Sequence, residues 1–195
     1  MKNQYILTPY FLDDKVPGLK PLATAEWKVI TAELPPTADR SAGEPSAQER
    51  QVRMGALYQP LRDAVAEAAS QGNRPVSIAG DCCTSLAVFA GLQNAGLEPN
   101  LIWFDAHGDF NSWETTPSGF LGGMPLAMLV DRGEQTLSQS VGLQRVPEVD
   151  VLLTDARDLD PRRAIGRRSV RPGGGIRSSG FTGRVFSPGA AICPF

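Results

Sequence analysis

The spacing of apolar and polar positions predicts a chain in which strands alternate with helices. Short apolar runs bounded by Pro, Gly or polar residues are typical of buried strands. Such runs occur at residues 5–11, 27–32, 74–80, 100–104 and 149–154. Alternating strands and helices favour a mostly parallel sheet joined by right-handed crossovers.

The segments between these strands carry helical patterns. Residues 46–49 read Ser-Ala-Gln-Glu, a capping box that opens a helix continuing to about Ser70, with Pro60 as an expected kink. A second helix is predicted over about 84–95, closed by Gly96, because glycine is favoured just past a helix C-terminus. Residues 124–130 form a third. Residues 34–45 and 110–123 are predicted to be loops.

Composition places the chain among globular proteins. Its 195 residues suffice for one domain with a proper core, and the 42% hydrophobic and 21% charged contents are ordinary. The N-terminus lacks the apolar segment of a signal peptide, and no apolar run reaches membrane-spanning length. Three cysteines do not make a disulfide framework. A cytoplasmic protein without a membrane partner is therefore expected.

The net charge of −2 conceals an asymmetry between the two ends of the chain. All 21 acidic residues lie at or before Asp160, whereas residues 162–195 carry seven arginines and no acid. The tail is thus +7 and the rest −9. A nucleic-acid-binding arm is one interpretation, but the tail has no lysine and no periodic pattern, and its Arg, Gly and Pro content is typical of disorder.

The predicted organisation is therefore an α/β domain at residues 1–161 and a disordered tail at residues 162–195. The abrupt change of composition suggests a third explanation for the tail, a reading frame shifted in a GC-rich coding sequence. Sequencing the locus tests this, because an intact frame shared by close relatives would refute it.

The candidate chemistry follows the fourth predicted strand. Residues 105–109 read Asp-Ala-His-Gly-Asp and contain the one histidine of the chain. Alternation along an extended backbone would place Asp105, His107 and Asp109 on one face. Carboxylate and imidazole ligands suit Mn²⁺, Zn²⁺ or Fe²⁺, and parallel sheets bind ligands beyond the carboxyl ends of their strands. The alternative is a polar strand end in which His107 is hydrogen-bonded to a neighbouring aspartate.

These residues carry a resemblance to a known family. Residues 105–111, followed by Ser118-Gly119 and by residues 122–125 (Gly-Gly-Met-Pro), resemble the arginase/agmatinase (ureohydrolase) family. Upstream, Gly80-Asp81-Cys82 corresponds to the Gly-Gly-Asp-His-Ser motif of that family. The resemblance covers roughly residues 70–160.

The resemblance implies a three-layer α/β/α sandwich with a mostly parallel sheet and a two-manganese centre. In that family a metal-bridging hydroxide attacks a guanidinium or amidinium carbon. Asp105, His107 and Asp109 match three of the metal ligands. Asn111 and Ser118 match positions that contact the carboxylate end of arginine, although capping of the loop explains these two residues equally well.

Several positions depart from the family pattern. Cys82 replaces a ligand histidine; it is either a further metal ligand, which would favour Zn²⁺ or Fe²⁺ over Mn²⁺, or a small buried apolar residue. Asp81 matches an aspartate that supports the site, and helix capping would also explain it. Gly122 replaces a histidine thought to relay protons. Phe120 replaces an asparagine that reads the substrate, which argues against arginine itself as the substrate.

The family also supplies two later metal-binding aspartates in a Ser-x-Asp-x-Asp motif. Residues 154–161 contain three aspartates, but at the wrong spacing, and Arg157 and Asp158 are interpreted as structural. With a frameshifted tail, the sheet would be incomplete at the C-terminus. Three protein ligands, or four with Cys82, would then suffice for one metal ion.

Two functions are therefore kept open. The first is a metal-dependent hydrolase, with Mn²⁺ as the expected cofactor, that cleaves a C–N bond in a small guanidino or amidino compound. No catalytic side chain is assigned beyond the metal ligands, since metal-bound hydroxide would be the nucleophile. The alternative is a diverged, non-enzymatic arginase-like domain with at most one weakly bound metal. The resemblance also allows a homo-oligomer, and nucleic acid is not the expected partner.

Overall fold

The computed structural model describes residues 1–36, residues 45–159 and, as backbone alone, Arg184–Phe186. Its strands are β1 (Asn3–Thr8), β2 (Tyr10–Phe11), β3 (Asp14–Lys15), β4 (Lys28–Val29), β5 (Arg74–Ala79), β6 (Leu101–Phe104), β7 (Val151–Thr154) and β8 (Arg184–Phe186). Its α-helices are α1 (Ala47–Ser70), α2 (Ser85–Asn94), α3 (Pro125–Leu129) and α4 (Thr136–Val141). Across the described residues, no helix has the length and apolarity needed to cross a bilayer.

The strands pair mainly in parallel. In the described residues, one sheet has the order β4-β1-β5 and another the order β6-β7-β8, and both are parallel throughout. Strands β2 and β3 form a short antiparallel hairpin. Parallel neighbours separated in sequence by helices confirm the α/β class with a mostly parallel sheet.

Two predicted strands differ from the observed ones. The run at residues 5–11 is divided at Pro9, which has no N–H to donate to a ladder, so β1 ends at Thr8 and β2 turns into the hairpin. The run at residues 27–32 shortens to β4. Helix α4 was not predicted; it ends at Gly142 in the left-handed region (φ +68°), a C-terminal signal present in the sequence.

The contacts between residues divide the chain into two compact units. The first unit comprises Met1–Pro99 and Glu134–Gln144, and the second comprises residues 100–133 and the described residues from Arg145 onward. The predicted boundary at residue 161 lies outside the described residues, as does most of the predicted tail. Within the tail, the backbone of β8 pairs with β7, with Val185 opposite Leu153.

Helix α1 organises the core of the first unit. The predicted capping box is present: the Ser46 hydroxyl accepts the Glu49 N–H at 3.2 Å, and the Glu49 carboxylate accepts the Ser46 N–H at 2.9 Å. The helix continues through Pro60 to Ser70. It packs closely on α2, because a Cβ at Gly91 would lie 2.5 Å from the Arg62 carbonyl oxygen. Only glycine fits at that helix crossing.

A buried ion pair fastens the β2–β3 hairpin to α1. The Asp13 side chain is 1% exposed and accepts a hydrogen bond from Nε of Arg53 at 2.7 Å and another from Arg50. Arg53 also donates to the Pro35 carbonyl. Removing one member of a buried pair leaves the remaining charges without compensation, which destabilises a fold more than the pair itself stabilises it.

We expect Asp13→Ala to lower the free energy of unfolding by about 3 kcal/mol, because two guanidinium groups would lose their buried carboxylate. For a chain of this size the melting temperature should fall by roughly 6–12 °C, measured by circular dichroism. The matched control is Asp14→Ala: the Asp14 side chain is 70% exposed and lies 3.2 Å from Arg50. It should change the free energy of unfolding by less than about 1 kcal/mol. Equal losses in the two variants would contradict this account.

Candidate functional site

The upstream motif lies at the carboxyl end of β5, in the first unit. Gly80 donates its N–H to the Tyr10 carbonyl at 3.0 Å, and a Cβ at this position would lie 2.3 Å from that oxygen. Any side chain at Gly80 would therefore push the β2–β3 hairpin away. This close approach explains the glycine that precedes Asp81.

Asp81 connects three parts of the first unit. Its Oδ2 accepts the Leu12 N–H at 2.7 Å, and its Oδ1 accepts the Cys83 N–H at 2.8 Å. The Tyr58 hydroxyl on α1 donates to Oδ1 at 3.4 Å. Leu12 has a positive φ of +54°, so the hydrogen bond that it donates to Asp81 supports a strained residue in the hairpin turn. These contacts agree with the capping role considered for Asp81.

Burial raises the pKa values of both Asp81 and its partner Tyr58. Burial raises the pKa of the Asp81 carboxyl above its ordinary value, and the hydrogen bonds from Leu12, Cys83 and Tyr58 offset only part of that rise. Burial also raises the pKa of Tyr58 well above its usual value, and the neighbouring Cys83, Asp81 and Cys82 raise this pKa further. Tyr58 therefore stays protonated and acts as the donor.

The Asp-Ala-His-Gly-Asp segment begins where β6 ends, in the second unit. The Asp105 N–H donates to the Thr154 carbonyl on β7 at 3.2 Å. The Asp105 Oδ1 accepts the backbone N–H of His107 at 2.9 Å and lies 3.1 Å from His107 Nδ1. The His107 side chain is 62% exposed. Asp105 and His107 thus form a carboxylate–imidazole pair at the edge of the sheet.

Asp109 does not continue the alternation expected for an extended strand. The strand ends at Phe104, and Asp109 adopts the left-handed region (φ +46°) and is buried. Its carbonyl accepts the N–H groups of Leu126 and Ala127 at 2.9 and 3.2 Å. The expectation of a shared face therefore fails for a physical reason: period-two alternation requires extended backbone up to residue 109.

A metal ion does not fit the side chains as they stand. Within residues 1–36 and 45–159, no group of three or more His, Cys, Asp or Glu side chains is arranged to hold one. Cys82 is half-buried, and Asp105, His107 and Asp109 lie in the second unit. Ligation by these four residues stays a prediction, and the chemistry available in the second unit is that of the Asp105–His107 pair.

Asp158 is a neighbour of this pair that the sequence interpretation treated as structural. Its Oδ2 lies 3.9 Å from His107 Nε2, and its N–H donates to the Ala106 carbonyl at 2.8 Å. The available signal was positional: Asp158 lies shortly after the end of β7, Asp105 directly after the end of β6, and parallel strands end at the same edge. Arg157 pairs with Asp155, and its structural role stays a prediction.

The loop at residues 110–123 uses its polar side chains internally. The Asn111 Oδ1 accepts the Thr115 hydroxyl at 3.2 Å, and the Ser118 hydroxyl accepts the Phe120 N–H at 3.2 Å. Both contacts are of the loop-capping kind, and substrate binding by Asn111 and Ser118 stays a prediction. The Phe120 ring lies across Gly122, where a Cβ would be 2.4 Å from the ring edge.

Comparison with known proteins finds similarity to arginases. The model of the arginase family matches residues 25–159. The chain is 36% identical over 104 residues to an arginase of Entamoeba histolytica and 36% identical over 101 residues to an arginase of Bacillus caldovelox. Each match covers 51% of this chain and 34% of the relative. The chain thus matches about a third of the length of these relatives.

Solved structures agree at the level of the fold. The structure of Entamoeba histolytica arginase in complex with L-ornithine has a TM-score of 0.63 at 26% identity, covering 82% of this chain and 59% of that one. An arginase from Bacillus subtilis has a TM-score of 0.61 at 23% identity, covering 83% and 58%. The arginase-like α/β fold expected from the sequence is therefore confirmed.

Titration of Asp81 should make stability depend on pH. Because the folded pKa is raised, the folded state binds more protons than the unfolded state above the ordinary pKa of 3.8. Stability contributed by protonated Asp81 is therefore lost as pH rises through the folded pKa. In urea titrations, we expect the difference in the free energy of unfolding between the wild type and Asp81→Asn to shrink as the pH rises from about 4 to about 8.

Tyr58→Phe provides the companion variant for this measurement. Loss of the hydroxyl removes a hydrogen bond that lowers the pKa of Asp81, so stability should fall more steeply with pH than in the wild type. A difference between wild type and Asp81→Asn that grows with pH would show that Asp81 is stabilised as the ion.

Proposed function

The chain belongs to the arginase family, and on that premise we propose that it hydrolyses a C–N bond in a small guanidino or amidino compound. The observation that carries the proposal is the Asp105–His107 pair at the carboxyl end of β6, with the Asp105 Oδ1 3.1 Å from Nδ1 of the exposed imidazole. Ligands of open α/β sheets bind at this edge.

The pair suits proton transfer to and from a reacting water. If Nδ1 donates to Asp105, the neutral ring has Nε2 as its acceptor, and this atom lies 3.9 Å from the Asp158 Oδ2. The backbone N–H of His107 also donates to Asp105, so one carboxylate orients both the ring and the residue that bears it. General-base assistance of this kind accelerates a reaction by about 10²–10⁴-fold.

We propose Mn²⁺ as the cofactor, and the test therefore includes assays with this ion added. Carboxylates and imidazole favour Mn²⁺, and a thiolate from Cys82 would favour Zn²⁺ or Fe²⁺. Because Asp109 is buried and capped by α3, ligation by all three residues of the motif would require that segment to change conformation. Asn111 and Ser118 are proposed to contact the substrate, in addition to capping their loop.

A second candidate is a non-enzymatic arginase-family domain. It is favoured by one specific observation: no group of three ligands is assembled anywhere in the described ranges. At most one weakly held cation is expected in that case. Metal analysis of the purified chain bears on the two, since a bound cation that is lost in Asp105→Asn would favour the hydrolase.

The hydrolase is tested by a screen for released amine and urea over guanidino and amidino compounds, with and without Mn²⁺. Arginine is included because a solved relative is complexed with L-ornithine. We expect turnover of at least one compound and a loss of about 10²-fold or more in kcat for His107→Asn and Asp105→Asn. Isotope-labelled water would report the hydrolytic step directly.

Asp131→Asn is the matched control for this screen. It makes the same carboxylate-to-amide change at an exposed residue of the same unit, whose left-handed backbone (φ +64°) asparagine tolerates. It should retain wild-type turnover. Turnover that survives in His107→Asn would contradict the assigned role, and silence of the wild type over the whole panel would favour the second candidate.

A further inference from the structure

The segment that follows His107 is held along its length by residues 123–133. The Asp109 carbonyl accepts the N–H groups of Leu126 and Ala127, and the Asn111 N–H donates to the Gly123 carbonyl at 3.0 Å. These hydrogen bonds fix the backbone at Asp109 and Asn111, on either side of Phe110. The Phe110 ring makes contacts of its own.

Arg132 contacts the Phe110 ring. Its guanidinium carbon lies 5.8 Å from the centroid of the Phe110 ring, a distance at which a cation is attracted to the face of an aromatic ring. Its N–H donates to the Ala127 carbonyl at 2.8 Å, so the residue is anchored to the end of α3. The next residue, Gly133, approaches so closely that a Cβ there would lie 2.8 Å from Cβ of Ser112.

A buried carboxylate fixes the orientation of the guanidinium. The Arg132 Nε lies 2.5 Å from Oε1 of Glu148, whose side chain is 3% exposed. Glu148 precedes β7 in a 3₁₀ turn, so the same arginine connects the Phe110 segment to the strand beside β6. A planar group held by a carboxylate and placed over a ring is a role that lysine does not reproduce.

We infer that Arg132 is a positioning residue for the candidate site: clamped by Glu148, it holds Phe110 and thereby sets the backbone that carries His107 and Asp109. The inference rests on the proposed function, because positioning has meaning only if the Asp105–His107 pair acts on a substrate. Small displacements of reacting groups are costly, about 10²-fold for roughly 1 Å.

The test compares Arg132→Met with the double variant Arg132→Met/Glu148→Gln in the full chain. The single variant should lower the melting temperature, speed amide hydrogen exchange over residues 109–116, and reduce kcat about tenfold with KM nearly unchanged. The double variant should regain much of the melting temperature, because no buried carboxylate is left unpaired. Its exchange rates and kcat should stay at the levels of the single variant.

The control is Arg145→Met, which removes an exposed arginine from the same unit and should change none of the three measurements. Recovery of kcat and exchange together with the melting temperature in the double variant would overturn the inference, since Arg132 would then be a structural ion-pair partner only. Wild-type exchange over residues 109–116 in the single variant would overturn it as well. A wild type without turnover would refute the proposed function, whereas the exchange data would still decide whether Arg132 holds the segment.

Discussion

The parallel pairing of β6 with β7 is the constraint on which the candidate site depends. In this register Phe104 lies opposite Thr154, so both strands end at one level. The next bond, from the Asp105 N–H to the Thr154 carbonyl, extends the ladder by one residue before the chain leaves it. Asp105, His107 and Asp158 are brought to one edge because the two strands stop together.

The sequence predicted most elements from local signals that physical chemistry makes strong. The Ser46–Glu49 capping box and the buried stripe of α1 define that helix without reference to the rest of the chain. The failures lie where a single residue outweighs a hydrophobic run. Pro9 interrupts a segment that is otherwise an ideal strand, and α4 is too short for a periodic pattern to be distinguished from a loop.

The candidate site was predictable to the same degree. Proximity of Asp105 to His107 follows from their spacing just beyond a strand, and the Asp105 Oδ1 lies 3.1 Å from His107 Nδ1. The position of Asp109 was not predictable. Its carbonyl accepts the amides of Leu126 and Ala127, which lie in a later helix, and its backbone is left-handed. Contacts from distant sequence decide such residues.

The ring of Phe120 across Gly122 has a consequence for how this chain could change over generations. A side chain at residue 122 meets the ring at 2.4 Å, so it is tolerated only after the ring has swung away or been replaced by something smaller. Changes at these two neighbours are therefore contingent on one another. A larger residue at position 122 therefore requires either a new rotamer of Phe120 or a smaller residue at position 120.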